Sequence, residues 1–391
     1  MFGLDMALIA EVTSQWCPAH VSAIADLAPH AIPLVTRADV APVIPGLDLW
    51  DLWPVQLIDG STAQFEGATV WMILSAPLIP DPDKRHDMAR IRLATLKDGA
   101  WTDCGNLLPD GFNIGSREWA GTALYDSSTR GLTLFYTAAG YKGEASSSFA
   151  QRLFQTTGQL VVENGIAKVS GWSPLEESFA SDGEHYVIVN QSEGVPGFIK
   201  GFRDPAHFRD PVSGEDYLFF TGSLKRATSD WNGVIGLARA RGDNHDNWEL
   251  LPPLVSADGL NNELERPVMI HRDGLYYLFW STQRKVFSPD GPSGPNGLYG
   301  MVSEQLFGPY RPLNGTGLVA ANPESAPFQT YSWWVTNDLT VHGFVDLIDV
   351  AGLSDVIDDP AWRRAHFGGV PSPVFRITLD GDRAFVDTIT A

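Results

Sequence analysis

The sequence predicts an all-β protein, with a five-bladed propeller as its architecture, on three observations. Aromatic residues make up 11% of the 391 residues, with 13 Trp, 20 Phe and 10 Tyr set among 38 Gly and 27 Pro. Aromatic and β-branched runs broken by Gly, Pro, Asp and Asn are how strands and their turns read. Five short apolar runs show this best: Ala68–Ala76, Gly131–Ala138, Asp216–Gly222, Leu275–Thr282 and Leu339–Leu347. They recur at intervals of roughly 60 to 85 residues, a spacing that suits radially repeated sheets with elaborated loops. A two-domain β-sandwich is the alternative that periodicity leaves open. Helix is scarce, although Thr13–Leu27 has room for a short one after Pro18. No interdomain linker stands out, so residues 1–391 read as a single domain. Its first 35 or so residues form a partly helical extension packing outside the sheets.

Hydrophobic residues at 44% and charged residues at 19% describe a globular chain with a large core and exclude a disordered one. Against 47 Asp and Glu stand 27 Lys and Arg, a formal net charge of −20. Nucleic acid and anionic membrane surfaces both demand clustered cations, so neither is an expected partner. Neutral small molecules such as sugars are unaffected. No apolar run is long enough to span a bilayer, and the N-terminal stretch, with Asp5 and no positive region, does not read as a signal peptide.

Cys17 and Cys104 read as two free, buried thiols. The nine His show no metal-ligand spacing, and Asp81, Asp83 and Asp87 lack the Gly and distal Glu of a calcium loop. They read as a solvated acidic turn. Phosphate-cradling glycine loops and a serine elbow are missing, and no cofactor is implied. The sequons at Asn190 and Asn314 are short enough to be chance.

Three carboxylate contexts remain. Asp51 sits between Trp50 and Trp53. A charge beside aromatic rings suits a cavity that takes sugars, whose C–H faces stack on such rings; a turn-capping Asp near Pro54 is the alternative. Asp204 lies in Phe202-Arg203-Asp204-Pro205, and Arg209-Asp210-Pro211 is a near copy. The adjacent Arg203 should hold Asp204 ionised with a lowered pKa, suiting an electrostatic role. Glu263 and Glu265 flank Leu264; in a strand they would share a face and push one pKa up towards that of a general acid. An exposed strand face is the other reading of that pair. Together the three contexts supply the parts of retaining glycoside cleavage, in which the nucleophile and acid/base stand about 5–5.5 Å apart.

These residues resemble glycoside hydrolase family 68, the levansucrase, inulosucrase and bacterial β-fructofuranosidase group. The likeness is carried by Thr36-Arg37-Ala38-Asp39, Trp50 to Gln56, Gly115 to Ala123 and Phe202 to Pro205, then Glu263 to Pro267 and Gln329 to Ser332. It implies a five-bladed propeller with the active site in a central funnel. The implied activity is cleavage of sucrose through a covalent fructosyl-enzyme, with fructose passed to sucrose, fructan or water. It further implies Asp51 as nucleophile, Asp204 as transition-state stabiliser and Glu265 as acid/base. Trp50, Trp119, Arg203, Glu263 and Tyr331 would line the sucrose pocket, and Arg266 would support the acid/base.

The chain departs from the pattern at Ala120, where many members have Ser, at Thr221, where Glu is common, and at Gln283, where Arg or His marks the acceptor side. These changes put acceptor binding, polymer formation and linkage in doubt more than sucrose cleavage. Gram-positive members hold a structural calcium with an Asp where this chain has Asn262, so no metal is expected. Use of sucrose and fructo-oligosaccharides points to an extracellular or periplasmic site of action. The competing readings are a furanosidase of a sister propeller family and a non-catalytic sugar-binding propeller.

Overall fold

The computed structural model describes residues 13–189, 199–242, 245–353 and 355–387. The apolar stretch at residues 1–12 and the sequon at Asn190 lie outside them. Five antiparallel meanders follow one another as propeller blades. The first runs through Leu47–Gln56, Ala68–Pro77, Arg90–Lys97 and Ala100–Asn106. In the second, Arg117–Asp126, Gly131–Ala139, Gln151–Glu163 and Ile166–Ser170 pair in order. Phe202–Arg209, Asp216–Ser223, Gly233–Ala240 and Trp248–Ser256 make the third. The fourth is built on Glu265–Arg272, Leu275–Thr282 and Gly297–Ser303, edged by Arg311–Pro312 and Leu318–Ala321. Thr330–Val335 and Thr340–Leu347 begin the fifth, which Phe367–Pro371, Phe375–Asp380 and Arg383–Asp387 complete.

The five apolar runs are the second strands of the five blades. Each is sandwiched between neighbouring blades, and four of the five are buried at most positions; the fifth, Thr340–Leu347, alternates, with Thr340, His342 and Asp346 half-buried. Asp216–Ser223 is buried at every position.

The innermost strands behave differently, because each carries one extra residue relative to its partner. The irregularities fall at Leu49/Leu52, Trp119/Gly121, Arg203/Ala206, Glu265/Val268 and Tyr331/Trp334. A bulge of this kind bends the strand and re-aims a side chain. Five bulges at the N-terminal ends of five inner strands surround one mouth of the axis.

The N-terminal segment wraps the outside. Ser14–Gln15 pairs in parallel with Val255–Ser256, and Trp16 packs edge-on to Trp280 and Phe287. A short helix, Pro18–Ser22, follows at the proline marked in the sequence. A second helix, Pro360–His366, was not foreseen, although Asp359 caps it by accepting from Trp362 N at 2.6 Å and Pro360 opens it. Its Arg363 reaches Asp81 at 3.2 Å. The acidic turn at Asp81–Asp87 is therefore not merely solvated: most of it forms the 3₁₀ helix Pro82–Met88, anchored to the fifth blade. Cys17 and Cys104 are free but half-buried rather than buried.

In the third blade His207 and His245 reach the two oxygens of Asp216 at 2.9 and 2.8 Å, and Arg209 binds both. Its hydrogen-bonding capacity is thus met within the protein, and these contacts hold Asp216 far below the usual carboxylate range despite burial.

The bulge of the second blade leaves no room for a side chain at Gly121. A Cβ there would collide with Phe135 O and stand 2.7 Å from Tyr136 Cα. Gly121→Ala is expected to cost about 1–3 kcal/mol or more, as overpacking against rigid backbone does. Thermal unfolding checks this; an unchanged Tm would mean the bulge can open.

Candidate active site

The inner-strand bulges bring together Asp51 from the first blade, Asp204 from the third, Glu265 from the fourth and Tyr331 from the fifth. Arg203 is the hinge of the acidic side. Its Nη2 donates to Glu265 Oε1 at 2.7 Å and Glu263 Oε2 at 3.1 Å, and its Nε stands 3.6 Å from Asp204 Oδ2. Tyr331 donates its hydroxyl to the other oxygen of Glu265. Asp204 also accepts from Thr221 Oγ1 at 3.1 Å, and its backbone N donates to Thr137 Oγ1 at 2.9 Å.

Arg266 ties the other side. Nη1 donates to Ser332 O and Oγ at 2.8 and 2.9 Å, and Nη2 to Leu52 O at 2.6 Å. Its backbone N reaches Thr221 Oγ1 at 3.2 Å and Asp204 Oδ2 at 3.4 Å. The guanidinium also lies against the rings of Trp53 and Trp334. Ser332 in turn donates to Asp51. Asp204, Arg266 and Ser332 adopt φ of 60°, 52° and 59°. Left-handed non-glycine residues are costly, and three of them converge here.

Burial sets the electrostatics. It pushes Asp51 up, offset in part by Arg266 and by the Ser332 hydroxyl. Asp204 rises to about 6, first through burial, with Arg203 working against the rise. The expected lowering by Arg203 is overturned because the group is buried beside Glu265 and Asp51, and because Arg203 is shared among three carboxylates. Glu263 rises to about 7 for the same first reason, reinforced by Glu265.

The two glutamates do not share a strand face, since the strand begins at Glu265. Glu263 belongs to the preceding turn, its N bonded to Asn261 Oδ1 at 2.8 Å. Arg203, rather than strand periodicity, makes them neighbours.

The remaining expected residues fall into place unevenly. Trp50 is buried, its ring edge-on to His86, and the half-buried Trp119 donates its indole N–H to His86 O at 3.4 Å. Ala120 is 1% exposed and its carbonyl accepts from Thr137, so it offers a substrate no open surface. Thr221 is a hydrogen-bond partner of Asp204. Gln283 stands at the end of Leu275–Thr282, on the rim, since Ser281 pairs with Glu265. Asp210, in the second Arg-Asp-Pro copy, closes a hairpin turn by accepting from Val212 N and Ser213 N and is bound by Tyr276.

Reading the sequence missed His86, Lys285 and Asp346. His86 is exposed at the opening but sits deep within the funnel, where the surrounding protein mass, then Arg85 and Lys285, push its pKa well below the usual value. Burial lifts Asp346 to about 6, close enough to Asp51 to sense its charge. No motif marked them, because each is recruited from outside the inner strands.

A cavity of about 300 Å³ opens at the opposite mouth, lined by Gln56, Arg209, Ile270 and Trp334 among others. Among the described residues Asp59 is the one carboxylate in its lining, whereas the mouth ringed by the bulges gathers Asp51, Asp204, Glu263 and Glu265.

Asn262 does not fit a divalent cation. Its Oδ1 accepts from Lys200 Nζ at 3.0 Å, so an ammonium already takes that oxygen.

A carboxylate raised in the folded state binds more protons there than in the unfolded chain, so stability falls as pH rises from the unfolded value near 4 through about 6 for Asp204. Asp204→Asn is therefore expected to raise Tm at pH 7. A lower Tm at pH 7 would mean that pairing with Arg203 outweighs burial.

A model of the levansucrase/invertase family matches residues 6–230 and 224–391. A levansucrase of Pseudomonas savastanoi pv. glycinea is 31% identical over 401 residues, covering 91% of each chain. One from Zymomonas mobilis is 33% identical over 372 residues, covering 87% of this chain and 82% of the other. The solved inulosucrase of Halalkalicoccus jeotgali, bound to kestose, superposes with a TM-score of 0.87 at 38% identity, covering 96% and 95%. Matched along nearly its whole length and folded as a five-bladed propeller, the chain belongs to glycoside hydrolase family 68, the levansucrase/invertase family.

Proposed function

We propose that the protein is a retaining fructosyltransferase that cleaves sucrose and passes fructose to sucrose, a growing fructan or water. The observation that carries this is the convergence of Asp51, Asp204 and Glu265 from three inner strands on one mouth, wired by Arg203 and Arg266. Asp51 attacks the anomeric carbon of the fructosyl unit while Glu265 protonates the glycosidic oxygen, and glucose leaves. Asp204 holds fructosyl hydroxyls and favours the oxocarbenium-like transition state. Glu265 then takes the proton of the acceptor hydroxyl as that oxygen displaces Asp51, so two inversions leave the configuration retained.

Glu263 and Glu265 share one guanidinium, so burying both as anions leaves an uncompensated charge. Burial, reinforced by Glu265, raises Glu263 to about 7, so Glu263 beside the proposed acid/base holds its proton towards neutral pH. Site of action, whether extracellular or periplasmic, is proposed on the substrate alone.

Incubation with concentrated sucrose, measuring glucose, fructose and oligomers together, tests the activity. Glucose in excess of fructose, with oligomers, is the expected result. Equal glucose and fructose would make it a hydrolase, and no glucose would reject the reading. Asp51→Asn and Glu265→Gln should each lower kcat by about 10³-fold or more, the scale of losing a nucleophile or acid/base. Near-normal turnover in either would overturn its role. Asp210→Asn should stay within about twofold of wild type, because its bonds hold a turn.

A further inference from the structure

We propose that Lys200 is a positioning residue whose ammonium serves as an internal cation, locking the lead-in to the fourth blade so that Glu263 and Glu265 meet Arg203. The proposal rests on the function above. Lys200 Nζ donates to Asn232 Oδ1 at 2.7 Å, to Asn262 Oδ1 at 3.0 Å and to Asp230 O. Its three N–H donors thus meet three oxygens, none of them a carboxylate. Carbonyl and amide oxygens are also the ligands of hard divalent cations. Without a carboxylate among the three, this cage suits one positive charge rather than two. Asp230, Glu263 and Asp258 favour the charge, against the burial that lowers the Lys200 pKa.

The cage joins the segments that enter two inner strands. Asn262 returns the contact through Nδ2 to Ile199 O at 2.9 Å. Gln151 grips the same segment, donating to Lys200 O at 2.8 Å and accepting from Phe202 N at 2.9 Å. Gly233 presses on the far side, where a Cβ would stand 2.7 Å from the carbonyl carbon of Asn262. One residue after Asn262 comes Glu263, and three after Lys200 comes Arg203. Slack at Lys200 therefore passes directly into the Arg203 contacts with Glu263 and Glu265, and small displacements of catalytic groups are costly to rate.

The test compares wild type with Lys200→Met and with the double variant Lys200→Ala/Asn262→Asp. Lys200→Met should lower kcat on sucrose by about 10- to 100-fold while KM moves less than about threefold. Calcium should raise the Tm and kcat of the double variant, now carrying a carboxylate and a vacated cage, and leave the wild-type Tm unmoved. A Lys200→Met kcat within about twofold of wild type, or a double variant indifferent to calcium, would overturn the proposal. So would a wild-type Tm that calcium raises.

If Lys200→Met does not fold, Asn232→Ala removes a single cage oxygen and should still lower kcat several-fold; an unchanged kcat refutes the role. If wild type releases no glucose, the function fails separately. Positioning is then read in a crystal structure of Lys200→Met, or of Asn232→Ala if the former does not fold. There Glu263 Oε2 should part from Arg203 Nη2, now 3.1 Å away. Retention of that contact would sink the proposal.

Discussion

The site depends on a buried cation at the propeller axis. Arg266 comes from the fourth blade, yet its guanidinium is hydrogen-bonded to backbone of the first and fifth, and its backbone N–H faces Asp204 of the third. A guanidinium so enclosed must be surrounded by acceptors and countercharge, and breaking a buried pair by removing one partner typically costs about 3–5 kcal/mol. Asp51, Asp204 and Glu265 supply the countercharge. The groups proposed for the chemistry are thus the ones that make the axis tolerable, and the axis holds them in place.

Burial first, and then the crowding of carboxylates around that cation, explains the pKa pattern. Four carboxylates, Asp51, Asp204, Glu263 and Glu265, crowd around two guanidiniums, Arg203 and Arg266. Burial raises Asp51, Asp204 and Glu263, so the folded protein holds protons on these groups to a higher pH than free carboxylates do. An active site assembled this way works against stability at neutral pH, a cost the five buried second strands offset. Left-handed backbone at Asp204, Arg266 and Ser332 belongs to the same compromise: the bulges that aim these residues inward also strain them.

The mouth is also bordered by residues outside the inner strands. His86 arrives on the 3₁₀ helix Pro82–Met88, which Arg363 of the fifth blade pins down, and Lys285 arrives on the loop beyond Gln283. Loops on a rigid scaffold can vary without disturbing the carboxylates. Conversely, Ala120 is sealed in the wall and Thr221 is bound to Asp204, so these two departures from the family pattern belong to the scaffold around the carboxylates.

What the sequence by itself determined was the repeat and the chemistry of its contexts. The second strands were legible because burial between neighbouring blades leaves most of them predominantly apolar, a local property of composition. Asp51, Asp204 and Glu265 were legible because charged residues beside Trp, Arg and Pro are unusual and match a family. The family likeness singled out the first Arg-Asp-Pro copy, but only tertiary structure supplied the physical reason: the strand bulges at Asp204, whereas Asp210 closes a hairpin turn. Tertiary structure also decided the direction of the Asp204 shift, because burial and the competition of three carboxylates for Arg203 are not properties of adjacent residues. The recruitment of His86, Lys285, Asp346 and Lys200 was likewise invisible. Their contacts join distant segments, and a single sequence records spacing along the chain, not distance across the funnel.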